Sequence, residues 1–273
     1  CRILGTENRG FTNNAEITQT FKSWDANSKH LITFGCETEP YKLHLQNSGF
    51  NANNIFWSPL PSSNILRKST THNSTKDLSN KKPGVFTLGF LGMAKERKGF
   101  GDIPNLVESV YQNTQLVIEL IIQDTIFPWD GYVGQKNKIL SLQQNNNIHF
   151  LPGVLDRTEL ETLITRCDVL IFPYKSDSYP IQGSGMLYQA LNLGVPILAK
   201  ENLGFSKEIE TFKIGLTFKS NIDFHQKLFE ILHMDFKLMS QNYGQVRNSQ
   251  LNRLLELRNG QQNIYHFYNH SIE

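Results

Sequence analysis

The stretch "YPIQGSGMLYQALNLGVPILA", residues 179–199, decides the fold. Leu187, Ala190, Leu191 and Gly194 recur at the spacing of one helix face. Gly-Val-Pro then stops the helix, and "VPILA" (195–199) reads as a short buried strand. "DVLIFPY" (168–174), just upstream, reads as another. A helix between two short apolar strands is a βαβ unit, so the strands run parallel through a right-handed crossover. The helix begins near Ser184, between Gly183 and Gly185. Backbone N–H groups in a first turn lack helical partners and carry roughly half a positive charge. Glycines let a ligand come close to that backbone. One reading is therefore an anion site suited to phosphate. The other is that Ser184 caps the helix and the glycines make a turn.

Working outward, the same alternation continues. "VFTLGFLG" (85–92), "LVIELIIQ" (116–123), "NIHFLPG" (147–153) and "IGLTFK" (214–219) are further strands. Ile103, Leu106, Val107 and Val110 form a helix face, with Asp102 as N-cap and Pro104 in the first turn. Leu160, Leu163, Ile164 and Cys167 form another, with a Thr158–Glu161 capping box. Residues 85–220 thus read as a complete Rossmann-like lobe: α/β class, with a doubly wound parallel sheet and ligands at the strands' carboxyl ends. Residues 68–84 contain almost nothing apolar and read as a linker or exposed loop. In residues 1–67, "HLITFGC" (30–36) and "NIFWSPLP" (54–61) read as strands and "EPYKLHLQNSG" (39–49) as a helix. That is too little for an independent lobe of ~100 residues. Residues 221–273 read as C-terminal helices, with Phe224, Leu228, Ile231 and Leu232 on one face.

Composition narrows the class. The 273 residues carry a formal charge of +2, are 39% hydrophobic, and show no Lys/Arg run for tracking nucleic acid. No apolar run approaches the ~18 residues that span a bilayer. Cys1, Cys36 and Cys167 lack disulfide or metal spacing, which fits a reducing cytoplasm. No signal peptide is in view, and a start at Cys1 reads as a fragment.

The loop "GFLGMAKERKGFGDIPNL" (89–106) carries Lys95, Arg97 and Lys98, and in this topology it faces the helix start at Ser184. Cations there would hold a diphosphate and stabilise it as it leaves. Gly-x-Gly-x-x-Gly and Gly-Lys-Ser/Thr are both absent, and without Asp-x-Asp no metal-clamped nucleotide is expected. His149 reads as a packed, hydrogen-bonded strand residue and Cys167 as core. Asp177 and Tyr179 either touch a sugar or cap a loop.

Taken in order, "LGFLGMAKERKGF", "IHFLPGVLDRTELETLITRCDVLIFPY", "GSGMLYQALNLGVPILA" and "GFSKEIETFKIGLTF" resemble the donor-binding lobe of GT-B glycosyltransferases of the group 1 class, which use nucleotide sugars. The resemblance covers about half the chain. Residues 30–61 resemble the end of that family's N-terminal acceptor lobe, and the C-terminal helices would pack back toward it. The resemblance implies that Lys98, with Arg97, and the helix start Gly183, Ser184, Gly185 and Met186 bind the donor diphosphate. It implies that Gly153 and Val154 meet the nucleobase and that Gln189 meets the ribose. Asp177 and Gln182 are candidates for the sugar. The family's paired glutamates fall at Ile181 and Gln189, and its arginine after the first strand falls at Met93. Some members of the fold carry a Ser-Gly helix start instead of the first glutamate.

The expectation is a metal-independent, cytoplasmic hexosyltransferase of polysaccharide biosynthesis, retaining at the anomeric carbon. Its partners would be a nucleotide-diphosphate sugar as donor substrate and a saccharide, lipid-linked or protein acceptor. Neither a cofactor nor nucleic acid is expected, peripheral membrane contact stays open, and no catalytic base is assigned. The alternatives are a non-catalytic binding or scaffold relative and, more weakly, a nucleotide-sugar epimerase.

Overall fold

The computed structural model describes residues 2–3, 19–20, 22–23, 34–57, 84–113, 117–124, 131–143, 147–151, 153–234 and 245. Among them the first lobe shows three short parallel strands: β1 (Arg2–Ile3), β2 (Phe34–Cys36) and β3 (Ile55–Trp57). Helix α1 (Glu39–Asn47) connects β2 to β3, with Thr38 as its N-cap accepting from Tyr41 N–H. Phe34, Cys36, Tyr41, Leu45, Phe50 and Ile55 form this lobe's core.

The six apolar runs of the second lobe form β4 (Val85–Phe90), β5 (Val117–Gln123), β6 (Asn147–Leu151), β7 (Val169–Phe172), β8 (Ile197–Lys200) and β9 (Gly215–Phe218). Their order is β6-β5-β4-β7-β8-β9, every pair parallel. The chain winds outward from β4 in one direction and from β7 in the other. The crevice between the carboxyl ends of β4 and β7 is thus the topological switch point, where open α/β sheets bind ligands.

The helices are α2 (Ile103–Asn113), α3 (Tyr132–Gln143), α4 (Arg157–Arg166), α5 (Gly185–Leu193), α6 (Ser206–Phe212) and α7 (Asn221–Leu232). Strand side chains alternate between the two faces, and both faces are buried. Ile118, Leu120 and Ile122 join Ile103, Leu106, Val107 and Val110 of α2 and Phe224, Leu228, Ile231 and Leu232 of α7 in one core. Ile121, Leu170 and Phe172 join Ile164, Leu187, Ala190 and Ile209 in the other. The helix faces read from sequence are therefore the buried ones.

Two local readings differ, and one helix went unread. The capping box of α4 is Asp156–Glu159, not Thr158–Glu161. The helix starts at Arg157, one residue past an aspartate that caps better than threonine, so Thr158 lies inside the first turn. Helix α3 has no clear apolar stripe: Tyr132 and Ile139 are its buried residues, too few to mark a period. His149 is half exposed rather than packed, and its Nε2 lies 3.0 Å from Glu119 Oε1. The expected loop at 68–84 lies outside the described residues apart from Gly84, as does most of the stretch after α7. Helix α7 itself packs on α2 and β9.

Candidate functional site: the mouth of helix α5 at the switch point

Two loops meet at the β4/β7 crevice. The first follows β4. Gly92 sits at φ +99°, and Lys98 Nζ lies 2.9 Å from where a Cβ on Gly92 would stand, so the lysine occupies the space that glycine leaves open. Met186 Cγ lies 3.6 Å from the same point, so the Lys98 ammonium and the start of α5 share one small region. Gly99, at φ +76°, closes the turn around Lys98. A Cβ there would stand 1.8 Å from Pro173 O, so only glycine lets this loop lie against the end of β7. Lys98 Nζ stands 5.4 Å from the Tyr174 ring centroid. Burial holds its pKa below that of an ordinary lysine; Tyr179 works against that shift and Arg97 adds to it. An anion beside it would raise that pKa again.

The second loop leads into α5. Ser184 is its N-cap, buried and extended, but its side chain makes no capping hydrogen bond. Leu187 N–H turns back to Ser184 O at 3.1 Å. The N–H groups of Gly185 and Met186, one and two positions into the helix, donate to no described residue. A Cβ on Gly185 would meet nothing within 4 Å, so that position opens to solvent. Ser184 therefore stands at the N-cap without capping the helix through its side chain. One turn further, Gln189 Oε1 is buried without a hydrogen-bond partner. The Tyr174 hydroxyl is likewise buried without a bond of normal geometry. Its pKa is pushed up to about 12 by burial, against the pull of Ser184 and Arg97.

The remaining candidates are spread around this centre. Arg97 is exposed and its guanidinium stands 5.5 Å from the Tyr179 ring centroid. Gly153 turns at φ +80°, and its carbonyl accepts from Gln123 Nε2 at 3.1 Å. Val154 beside it is 68% exposed. Gln182 is buried, with its backbone pressed against Gly204. Asp177 lies in an exposed turn, accepting from Ser178 and facing Lys175.

Sequence reading missed Gln123 and Glu37. Gln123 Oε1 accepts from Gly92 N–H at 2.6 Å while its Nε2 reaches Gly153, so one buried amide ties the lysine loop to the 153–154 turn. Glu37, from the first lobe, accepts from Gly183 N–H at 3.2 Å. Both are the first polar residues at a strand's carboxyl end, a signal that was available in the sequence.

The family model for glycosyl transferases group 1 matches residues 73–246. The chain belongs to the group 1 glycosyltransferases. No curated protein matches it in a sequence search. Solved structures share its GT-B fold. The HepE protein of Anabaena in complex with UDP has a TM-score of 0.69 at 15% identity, covering 95% of this chain and 71% of its own. Sucrose-phosphate synthase from Thermosynechococcus elongatus has a TM-score of 0.61 at 14% identity, covering 94% and 63%. WaaG, a glycosyltransferase of lipopolysaccharide biosynthesis, has a TM-score of 0.56 at 16% identity, covering 81% and 58%. The chain thus spans 58% to 71% of the length of these three structures.

For a group 1 glycosyltransferase the geometry sorts the departures noted in sequence. Ile181, at the first glutamate position, packs its side chain against the first lobe's core. Met93, at the arginine position, is partly exposed. Gln189 keeps an open acceptor where the second glutamate would stand. No helix among the described residues is long and apolar enough to cross a membrane.

Proposed function

We propose that this chain carries the donor site of a glycosyltransferase that uses a nucleoside-diphosphate sugar without a metal. The acceptor would be a saccharide, a lipid-linked carbohydrate or a protein. The observation that carries this reading is the meeting of Lys98 Nζ with the open start of α5. When the bond between the sugar's anomeric carbon and the diphosphate breaks, negative charge gathers on the departing phosphate oxygen. The Gly185 and Met186 N–H groups, the helix dipole and the Lys98 ammonium are already aimed at that charge, so little reorganisation is needed. Together these N–H donors and the lysine cation would do the work a metal would otherwise do. Gln189 Oε1 is suited to accept from a ribose hydroxyl, and the 153–154 turn flanks the place for the base.

The HepE structures hold UDP and glucose, and an E. coli neighbour holds UDP-2-fluoro glucose, which supports a uridine nucleotide as the first donor to try. The test is release of nucleoside diphosphate from a panel of nucleotide sugars in EDTA, with saccharide acceptors present. Release by the wild type that is lost in Lys98→Ala is the expected result. Strict dependence on added magnesium would overturn the metal-free part.

One observation favours a second reading. Ile181 commits the first glutamate position to packing between the lobes, as a binding protein without transferase chemistry would allow. Tight nucleotide binding with no release from any donor would select it.

A further inference from the structure

Strands β4, β5 and β6 lie side by side, and one side chain joins their exits. The β4–β5 ladder ends at Phe90 and Ile122, and the β5–β6 ladder at Gln123 and Leu151. Asp124 N–H still reaches Leu151 O at 2.7 Å. Beyond these pairs the Gln123 side chain continues the ties in both directions. Its Oε1 accepts from Gly92 N–H at 2.6 Å, its Nε2 donates to Gly153 O at 3.1 Å, and the residue is 7% exposed.

The two partners dictate the residue type. Gly92 offers a donor and Gly153 an acceptor, so the group between them must accept at one end and donate at the other. A carboxylate only accepts, and an alkyl chain does neither. The same two partners fix which way round the amide sits. Both are glycines in the left-handed region, Gly92 at φ +99° and Gly153 at φ +80°. Glycine has wide conformational freedom, so these exits need an outside group to hold them.

Each exit carries a piece of the site. Lys98 Nζ lies 2.9 Å from where a Gly92 Cβ would stand, so Gly92 shapes the slot for the lysine. Val154, 68% exposed, follows Gly153 in the turn that flanks the place for the base. We propose that Gln123 is a positioning residue that fixes the span between the diphosphate subsite at Lys98 and the base subsite at the 153–154 turn. It acts through the two glycines rather than on the ligand. This assignment rests on the donor-site reading above. The lysine loop has a second anchor, since Lys175 N–H donates to Arg97 O at 3.0 Å. Loss of Gln123 therefore leaves the diphosphate subsite in place and loosens its distance to the turn. A ligand that must meet both subsites at once loses affinity when their spacing is no longer held, whereas a ligand of one subsite does not.

The test compares equilibrium binding of UDP, GDP and ADP with that of inorganic pyrophosphate, in EDTA, on wild type, Gln123→Met and Gln123→Glu. Gln123→Met keeps the length of the side chain and removes both bonds. Gln123→Glu keeps the acceptor for Gly92 and loses the donor for Gly153. Its added charge acts on the phosphates of every ligand, so it largely cancels in a ratio. Melting curves confirm that the variants are folded, and either one alone carries the comparison. The ratio of pyrophosphate's Kd to that of the tightest nucleoside diphosphate measures what the nucleoside adds. That ratio is expected to fall at least about tenfold in both variants, with pyrophosphate's own Kd in Gln123→Met within about threefold of wild type. An unchanged ratio in a folded variant overturns the assignment, whether both affinities hold or both fall together; the second result marks a role in the lysine loop alone. If the wild type binds none of the four ligands, the donor-site reading falls and takes this one with it. If it binds pyrophosphate as tightly as every nucleoside diphosphate, the phosphate site stands and the Gln123 assignment falls.

Discussion

The amino-terminal end of the six-stranded sheet and the mouth of α5 treat their polar groups in opposite ways. Toward the amino-terminal end, Glu119 takes Thr87 Oγ1 at 3.1 Å, Arg166 at 2.6 Å and His149 at 3.0 Å. Asp168 accepts from Thr87 N–H at 2.9 Å and donates its own N–H to Thr87 O at 2.7 Å. At the mouth of α5, Gln189 Oε1 and the Tyr174 hydroxyl are buried without such partners among the described residues. Unsatisfied buried polar groups cost stability. On the function proposed above, the closed network serves stability and the open mouth serves binding.

The contrast is sharpest at Lys98. Lys98→Ala is expected to weaken nucleoside-diphosphate binding about 100-fold, roughly 2.7 kcal/mol. The melting temperature should hold or rise, because a buried ammonium is removed. The pH dependence follows from the lowered Lys98 pKa. The ammonium is lost at lower pH than in an ordinary lysine, so affinity falls as pH rises through that pKa, and the variant's profile is flat there. Titration calorimetry at several pH values checks both.

Glu119→Ala is the mirror image. It strands Arg166, His149 and Thr87 and is expected to cost about 2 kcal/mol of stability by denaturant titration, with nucleotide affinity unchanged. A loss of binding there would break the division between the two regions.

Gly185→Asp places an acid at the first position of α5, where the dipole favours it and nothing crowds it. Nucleotide affinity should fall about tenfold, roughly 1.4 kcal/mol, while stability stays equal or improves. The smallest effect is expected at the α4 cap. Asp156→Ala should cost about 1 kcal/mol in stability and leave binding alone.

What the sequence made legible was whatever has a local signature. The strands appeared because both sheet faces are buried and their runs are continuously apolar, and α2 and α7 because their buried residues keep a period. The glycine-flanked Ser184 announced the mouth of α5. Helix α3 left no trace because Tyr132 and Ile139 are its buried residues, and the α4 cap was misplaced because two overlapping capping patterns stand two residues apart. Glu37 and Gly183 are 146 positions apart. No period or spacing joins them, so a carboxylate lent by one lobe to the other's helix mouth became visible only in the fold.

The most direct measurement is a thermal-shift titration of the chain with UDP, GDP and ADP in EDTA, beside Lys98→Ala. A ligand that binds only the folded state raises the melting temperature with its concentration. A rise with at least one diphosphate, without metal and absent in Lys98→Ala, is the predicted result. No rise with any of them in a folded protein, or a rise that survives Lys98→Ala unchanged, would contradict the assignment of the α5 mouth as the diphosphate site.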